Sequence, residues 1–184
     1  MDKMIGKQYK QYTSTISTKV MAISFELATY MWKHINENKC KNILDLGSGF
    51  SSYVFRYYQK TNAPSNCKVT SVDTSAEWLE KSNQFLLRNE LNLDNIFTFD
   101  EFKKIPFEKY DFVLYDLGNM ATRAENLEYV LNFAQEGCPT IIDDVHKKIY
   151  RDKVEETAAR LNKTIIDIKS ETFDSYGRYA HMIK

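Results

Sequence analysis

Cysteine is scarce in this sequence, and its three cysteines stand far apart. Cys40, Cys67 and Cys138 are odd in number and form no C-x-x-C pair. This usage argues against a disulfide framework and against a zinc site. We interpret the three side chains as reduced thiols that pack inside a cytoplasmic protein rather than as metal ligands.

The sequence also lacks an excess of charge of either sign and a long apolar run. Lys and Arg together number 25, as do Asp and Glu, so the formal net charge is zero. A neutral chain argues against general affinity for nucleic acid or for an anionic membrane. No apolar run approaches the ~20 residues that a membrane-spanning helix needs. We therefore expect no membrane partner, and no signal peptide at the start of the chain.

The composition that is present fits one domain. The chain has 184 residues, of which 43% are hydrophobic, and it shows no internal repeat and no low-complexity linker. That is enough to bury a core without disulfides. We predict a single domain over residues 1–184. Residues 1–16 are polar and rich in Lys, Tyr and Thr, which predicts a flexible arm or a lid that orders when a ligand binds.

A strand that runs into a glycine turn is the central feature of the sequence. The mainly apolar residues 43–46 suit a parallel strand covered on both faces. Gly47 and Gly49 follow at once, and they let a ligand lie against bare backbone at the start of the next helix. Ser52 stands where a dinucleotide-binding enzyme has its third glycine, which weakens a pyrophosphate interpretation. On this motif alone, an ordinary strand–helix turn explains the sequence equally well.

A second strand strengthens the nucleotide interpretation. Residues 69–73, VTSVD, have a strand pattern that ends in Asp73, 26 residues after Gly47. A carboxylate at the tip of the second strand can accept hydrogen bonds from both hydroxyls of a ribose. The two strands together predict a nucleoside pocket at the carboxyl ends of a parallel sheet.

These motifs resemble the class I S-adenosylmethionine-dependent methyltransferases, whose first motif is an apolar strand with an acid followed by G-x-G. Here that motif is ILDLGSG at 43–49. The N-terminal segment and the paired acids are most similar to the metal-dependent O-methyltransferase branch, which contains the catechol and caffeoyl-CoA enzymes. The resemblance extends over most of the chain, through MAISFEL at 21–27, VTSVD at 69–73, YDFVLYD at 110–116 and IIDDV at 141–145.

Strand patterns alternate with helix patterns, which predicts a Rossmann-like, doubly wound α/β sheet with helices on both faces. The resemblance implies seven strands in the order 3-2-1-4-5-7-6, with strand 7 antiparallel. We expect strands at 43–46, 67–73, 95–99, 109–116 and 139–143, and a closing hairpin from 164–168 and 179–183. We expect helices after Ser17 or Thr18, at 51–61, from 74 or 75 to about 91, from 121 to a stop at Gly137, and around 154–161.

The resemblance implies that S-adenosylmethionine lies at the glycine turn. In the resembled enzymes the position of Asp45 is near the methionine portion of the cofactor, and Ser52 matches a position that binds its carboxylate region. Asp100, after the third strand, is a candidate for the adenine; an exposed loop acid is its alternative. Met21 matches a further position near the cofactor; a core methionine is its alternative. The implied cofactor-binding set is Met21, Asp45, Gly47, Ser48, Gly49, Ser52, Asp73, Asp100 and Asp116.

Acids also end the fourth and fifth predicted strands. Because the carboxyl ends of parallel strands meet at one crevice, Asp116, Asp143 and Asp144 should converge there. These three acids match the metal triad of the resembled branch, and hard oxygen ligands suit Mg²⁺. Such an ion orients a substrate hydroxyl and eases the loss of its proton. The alternative is that Asp143 or Asp144 caps the following helix while Asp116 only borders the cofactor.

The general base departs from the pattern of the resembled branch. Its members commonly carry Lys or His two or three residues after the first metal acid, where this sequence has Gly118 and Asn119. His146 is the available substitute, because an ordinary pKa of about 6.5 lets it accept a hydroxyl proton at neutral pH. We therefore predict His146 and Asp116 as catalytic residues, with a loop histidine of no special role as the alternative for His146.

Together these signals predict an S-adenosylmethionine-dependent methyltransferase that acts on a small-molecule hydroxyl with Mg²⁺. One alternative is a metal-independent enzyme, or a nucleic-acid ribose methyltransferase with Lys147 and Glu171 near Asp116. The neutral charge argues against a nucleic-acid partner, and no Asn/Asp-Pro-Pro-aromatic segment of a base methyltransferase follows Asp116. The other alternative is a module that binds the cofactor without activity.

Overall fold

The computed structural model describes residues 3–184 and shows one mixed sheet. Its strands are β1 (Asn42–Leu46), β2 (Lys68–Asp73), β3 (Ile96–Thr98), β4 (Phe112–Tyr115), β5 (Thr140–Ile142), β6 (Ile165–Asp167) and β7 (His181–Ile183). Their order across the sheet is β3-β2-β1-β4-β5-β7-β6. β7 runs antiparallel to β5 and β6, and all other neighbouring strands pair in parallel. The predicted fold class is confirmed, including the strand order and the reversed seventh strand.

β1 lies at the centre of the sheet and is covered on both faces. Ile43 belongs to a hydrophobic cluster on one face, while Leu44 and Leu46 belong to a second cluster on the other face. All three side chains are fully buried. The apolar character of this strand is therefore explained by two separate cores, one on each side of the sheet.

Helices supply the partners for both faces. Helices α1 to α4 pack in the first cluster, and α5 to α7 pack in the second. They are α1 (Lys3–Thr15), α2 (Phe25–Asn38), α3 (Phe50–Thr61), α4 (Ala76–Arg88), α5 (Phe99–Phe102), α6 (Met120–Leu131) and α7 (Lys148–Arg160), and a short α8 (Lys169–Thr172) follows β6. Within residues 3–184, no helix has the length and apolar content to cross a membrane.

The N-terminal arm predicted over residues 1–16 is a packed helix over its described part. Residues 3–15 form α1, and its Ile5, Tyr9 and Tyr12 are buried. The ring of Tyr12 lies 5.6 Å from that of Phe50 and 5.0 Å from that of Phe85, measured between centroids. The polar composition is misleading because an apolar stripe at spacings of four and three is enough to anchor a helix. Residues 1 and 2 lie outside the described part of the chain.

The second helix begins later than the sequence predicts. Ser24 is its N-cap, and the Ser24 hydroxyl accepts the Leu27 N–H at 2.9 Å, so α2 starts at Phe25 instead of after Ser17 or Thr18. Serine is a favourable N-cap at any of these positions. The spacing of the apolar residues does not by itself tell which position caps the helix. The irregular segment at 16–24 leaves Val20 and Met21 exposed. That segment lies beside the cavity described below.

The last helices also differ in detail from the prediction. α6 ends at Leu131, where Asn132 caps it, so Gly137 belongs to the following turn instead of stopping the helix. The closing hairpin is confirmed, since β6 and β7 pair antiparallel. The segment between those two strands contains α8, a single helical turn that the sequence pattern does not reveal.

Gly47 should be the glycine that the fold tolerates least well when substituted. Its φ is 113°, and a Cβ there would lie 2.5 Å from the Asp116 carbonyl oxygen. We expect Gly47→Ala to lower the free energy of unfolding by roughly 2–5 kcal/mol, the sum of a left-handed backbone cost and an overpacking cost. Gly177→Ala is the matched control. The φ of Gly177 is also positive, at 80°, but an added Cβ would have no atom within 4 Å apart from its chain neighbours. It should lose only about 1–2 kcal/mol. Equal losses in urea titrations would contradict this account.

Candidate functional site

A cavity of about 690 Å³ opens at the carboxyl ends of the parallel strands. It brings together the glycine turn after β1, the end of β2 and the acids that follow β4 and β5. Asp45, Ser52, Asp100 and His146 are not part of its wall. The predicted residues that line it are Met21, Gly47, Ser48, Gly49, Asp73, Asp116, Asp143 and Asp144.

The turn between β1 and α3 presents backbone to the cavity. The N–H groups of Gly47 and Ser48 both donate to the Val72 carbonyl oxygen, at 2.8 and 3.1 Å, which ties the turn to the end of β2. Gly49 precedes α3, and its N–H donates to Ser52 Oγ at 3.3 Å. The first amides of a helix carry partial positive charge. This wall therefore suits a ligand that lies flat on backbone and carries an anionic group.

Asp45 and Ser52 lie behind the turn rather than in the cavity wall. Ser52 Oγ donates to Asp45 Oδ2 at 2.5 Å and lies 2.9 Å from the hydroxyl of Ser48, which does line the cavity. Ser71 Oγ also donates to Asp45 Oδ2, at 3.1 Å. Asp45 is fully buried, and burial raises its pKa to about 6. The resemblance implies that Asp45 lies near the methionine portion of the cofactor and that Ser52 binds its carboxylate region; in the structure the two side chains bond each other and support the turn.

Asp73 and Trp78 form the part of the wall beyond β2. One carboxylate oxygen of Asp73, Oδ1, accepts the Ser75 N–H at 2.9 Å, which orients the side chain at the mouth of the strand. The Trp78 indole N–H donates to the Ser48 carbonyl oxygen at 2.6 Å and so fixes the ring against the glycine turn. A carboxylate beside an immobilised aromatic ring suits a nucleoside, with hydroxyls on the acid and a base on the ring.

The part of the cavity wall that follows β4 and β5 is acidic, with an arginine among the acids. Asp116 follows β4, and Asp143 and Asp144 follow β5. The Arg123 guanidinium from α6 forms ion pairs with Asp116 Oδ1 through Nη2 and with Asp144 Oδ2 through Nη1, the latter at 3.2 Å. Lys147 Nζ lies 2.9 Å from the same Asp144 oxygen. The structure therefore gathers the three acids as the sequence predicts and adds two cations to them.

The charges in this cluster shift the pKa values of its members in different directions. Burial raises the pKa of Asp116 to about 6, and burial together with the neighbouring Asp116 raises that of Asp143 well above its ordinary value. Burial acts on Asp144 too, but its contacts with Lys147 and Arg123 bring its pKa below the ordinary value. Although burial opposes it, the carboxylates raise the pKa of Arg123, so this guanidinium stays charged.

A family model described as a methyltransferase domain matches residues 37–178, which is most of the chain. The chain belongs to this methyltransferase family. No curated relative matches its sequence. The family resemblance drawn from the glycine motif is confirmed, and the matched region contains both the glycine turn and the acidic cluster.

Solved structures share the fold of this methyltransferase at low sequence identity. An O-methyltransferase from Bacillus cereus in complex with SAH is 14% identical, with a TM-score of 0.72 over 100% of this chain and 90% of that one. The O-methyltransferase TomG from Streptomyces achromogenes in complex with SAM is 14% identical, with a TM-score of 0.70 over 100% and 89%. A Staphylococcus aureus protein provisionally assigned as a caffeoyl-CoA O-methyltransferase is 14% identical, with a TM-score of 0.66 over 100% and 93%.

Two residues predicted for the site of the methyltransferase lie away from the cavity wall. The side chain of Asp100 is 83% exposed and pairs with Lys103 at 2.8 Å, because it falls on α5 just beyond the end of β3. His146 Nδ1 lies 3.5 Å from Asp144 Oδ1, whereas Arg123 bonds Oδ2 of the same acid. Burial lowers the pKa of His146. Neither residue lines the cavity.

Met21 and Lys147 line the cavity, whereas Glu171 does not. Met21 is 73% exposed and lines the cavity, so it is not a core methionine. Lys147 lines the cavity, but Glu171 is exposed on α8 and does not. The pairing of Lys147 with Glu171 around Asp116, which a ribose methyltransferase would need, is therefore not formed.

Arg123 is the site residue that the sequence interpretation missed. It occupies a buried position on α6, in the stripe that continues through Leu127, Val130 and Leu131. An arginine at an apolar position of a helix is a signal in itself, because a buried guanidinium needs carboxylate partners. Trp78 lies on α4, and its role in holding the glycine turn depends on a contact with Ser48, 30 residues away in the sequence.

The buried Asp45 should make the stability of the methyltransferase depend on pH. Its folded pKa of about 6 exceeds the unfolded value, so its contribution is fully present at low pH and is lost as pH rises through about 6. Asp45→Asn keeps the uncharged shape at every pH. Relative to wild type, it should gain up to about 3 kcal/mol of unfolding free energy between pH 4 and pH 7. Asp100→Asn, at an exposed acid, is the control. A pH-independent difference between Asp45→Asn and wild type in urea titrations would refute the assignment.

Proposed function

We propose that this methyltransferase transfers a methyl group from S-adenosylmethionine to a hydroxyl of a small molecule held in the same cavity. The observation that carries the proposal is that the glycine turn, Asp73 and Asp116 all line one cavity. The solved relatives from Bacillus cereus and Streptomyces achromogenes are O-methyltransferases bound to SAH and SAM. They support this choice of reaction.

The residues at the glycine turn fit S-adenosylmethionine. Gly47 and Gly49 leave room beside the backbone, and the carboxylate of Asp73 would accept hydrogen bonds from the ribose hydroxyls. The second carboxylate oxygen of Asp45, Oδ1, is buried with no hydrogen-bond partner among the described residues. It provides negative charge close to where the cationic end of the methionine would lie. When bound, the cofactor supplies an electrophilic methyl group.

Asp116 is the residue we assign to the acceptor hydroxyl. It lines the cavity, and its Oδ1 is held by Arg123, which leaves Oδ2 to accept a proton. A pKa raised to about 6 by burial suits a general base that works at neutral pH. His146, the other candidate, lies 3.5 Å from Asp144 and does not line the cavity. The chain's further contribution is to position the hydroxyl in line with the methyl group.

A divalent metal does not fit the acids in their present arrangement. Oxygens of Asp116 and Asp144 are already paired with Arg123, and Asp144 also bonds Lys147. Within residues 3–184, no group of three or more His, Cys, Asp or Glu side chains is disposed to hold an ion. We therefore derive the reaction without a metal.

A second cavity supports an acceptor that carries negative charge. It has a volume of about 790 Å³ and meets the first at Arg178, which lines both. Lys3, Lys7, Lys10 and Lys19 line it, and none of them forms an ion pair with another residue between 3 and 184. Its acids are Glu26 and Asp174, and Asp174 is already bound by Arg178 at 2.7 Å. The uncompensated charge there is positive, although the chain as a whole is neutral.

Calorimetry with S-adenosylmethionine and its demethylated product tests the cofactor assignment. Asp73→Asn should weaken binding by roughly 10- to 100-fold, because it removes a charged acceptor for the ribose hydroxyls. Asp100→Asn, which changes an exposed acid in the same way, should leave affinity unaltered. Equal affinity for wild type and Asp73→Asn would remove Asp73 from the site. Binding of NAD in preference to the methyl donor would overturn the proposal.

Methyl transfer to a panel of acceptors tests the reaction itself. Catechols, phenols and sugars should be compared with forms of each that carry a carboxylate or phosphate, and with short RNAs. With any acceptor that is methylated, Asp116→Asn should lower kcat by about 10²–10⁴-fold, whereas His146→Ala should lower it by less than about tenfold. The opposite ranking would make His146 the base. Methylation of RNA alone would overturn the choice of a small-molecule acceptor.

A further inference from the structure

Arg123 occupies the position in the acidic cluster where a metal ion would be expected. Its side chain is only 8% exposed, and its guanidinium bridges two acids that come from different strands of the sheet. Nη2 also donates to the Gly118 carbonyl oxygen at 3.3 Å, so three groups bond the guanidinium through its two terminal nitrogens. We propose that Arg123 is a built-in cation that replaces a divalent ion in this methyltransferase and positions Asp116 for catalysis. This inference rests on the proposed function.

The helix that carries Arg123 is fixed at its beginning. Asn119 caps α6, with its side-chain oxygen accepting the Thr122 N–H at 3.0 Å. The hydroxyl of Tyr115, on the neighbouring strand, donates to the Arg123 carbonyl oxygen at 2.9 Å. These contacts anchor the backbone from which the guanidinium extends, so its place between the acids does not depend on a flexible loop.

The cluster's own cations offset most of its negative charge without an ion. Arg123 and Lys147 carry two positive charges against three carboxylates, and Asp143 Oδ1 accepts the Asp144 N–H at 2.7 Å in addition. A divalent ion would have to bind within a few ångströms of a fixed guanidinium in a poorly hydrated site, where repulsion between like charges is strong. Metal binding would therefore require Arg123 to leave a buried position and give up both ion pairs.

The ion pair also explains how Asp116 is oriented. A guanidinium bonds carboxylates in a fixed plane, which a single ammonium cannot do. By holding Oδ1, Arg123 fixes the carboxylate of Asp116, which lines the cavity, and leaves Oδ2 for the acceptor hydroxyl. Arg123 is thus a positioning residue, and its effect should fall on the methyl-transfer step more than on cofactor affinity.

The response to Mg²⁺ separates this proposal from a metal-dependent reaction. Wild type, treated with a chelator, should keep its full methyl-transfer rate, and millimolar Mg²⁺ should not raise its melting temperature. Arg123→Met removes the cation at nearly constant volume and leaves the acids uncompensated. Its melting temperature should rise saturably with Mg²⁺. Arg160→Met, at an exposed arginine paired with Glu128 at 2.7 Å, is the control and should show no such rise.

Kinetics distinguish positioning from a purely structural role. Arg123→Lys keeps the charge but loses the planar bridge. It can be measured even if Arg123→Met does not fold. We expect a fall in kcat of about 10–100-fold for Arg123→Lys with an unchanged Kd for S-adenosylmethionine. Three results would overturn the proposal: a melting temperature of wild type that rises saturably with Mg²⁺, loss of its activity with chelator, or an unchanged kcat in Arg123→Lys. Failure of wild type to bind S-adenosylmethionine would instead overturn the proposed function, because the melting response to Mg²⁺ does not depend on it.

Discussion

The ion pairs of Arg123 with Asp116 and Asp144 are the interaction on which the rest of the site depends. Parallel strands bring acids to one edge of the sheet, and three carboxylates in a buried crevice repel one another strongly. A fixed guanidinium from α6 offsets that repulsion inside the chain itself. It lets Asp116 line the same cavity as the glycine turn and Asp73.

The sequence predicts those features that depend on local pattern. The glycine turn, the apolar strands and the acid at the end of β2 are each specified by a few adjacent residues, and the structure places them as expected. Gly47 shows why, because its positive φ and its close approach to Asp116 leave little choice of residue. The order of the strands follows from the family resemblance, since alternation alone does not fix it.

Features that depend on contacts between distant residues could not be predicted in this way. Tyr12 anchors α1 through rings on α3 and α4, so a segment of polar composition packs as a helix. Asp45 and Ser52 bond each other behind the turn, although their sequence positions suggest contact with a ligand. Arg123 is 21 residues from Asp144, and only the folded chain reveals that it lies between the acids.

A crystal structure of the complex with the demethylated cofactor, grown in the presence of Mn²⁺, tests the central claim most directly. Mn²⁺ follows the same preference for hard oxygen ligands as Mg²⁺ and is visible by its anomalous scattering. The account predicts no anomalous peak among Asp116, Asp143 and Asp144, with the Arg123 guanidinium between Asp116 and Asp144. A Mn²⁺ peak bonded to these acids, with Arg123 displaced, would contradict it.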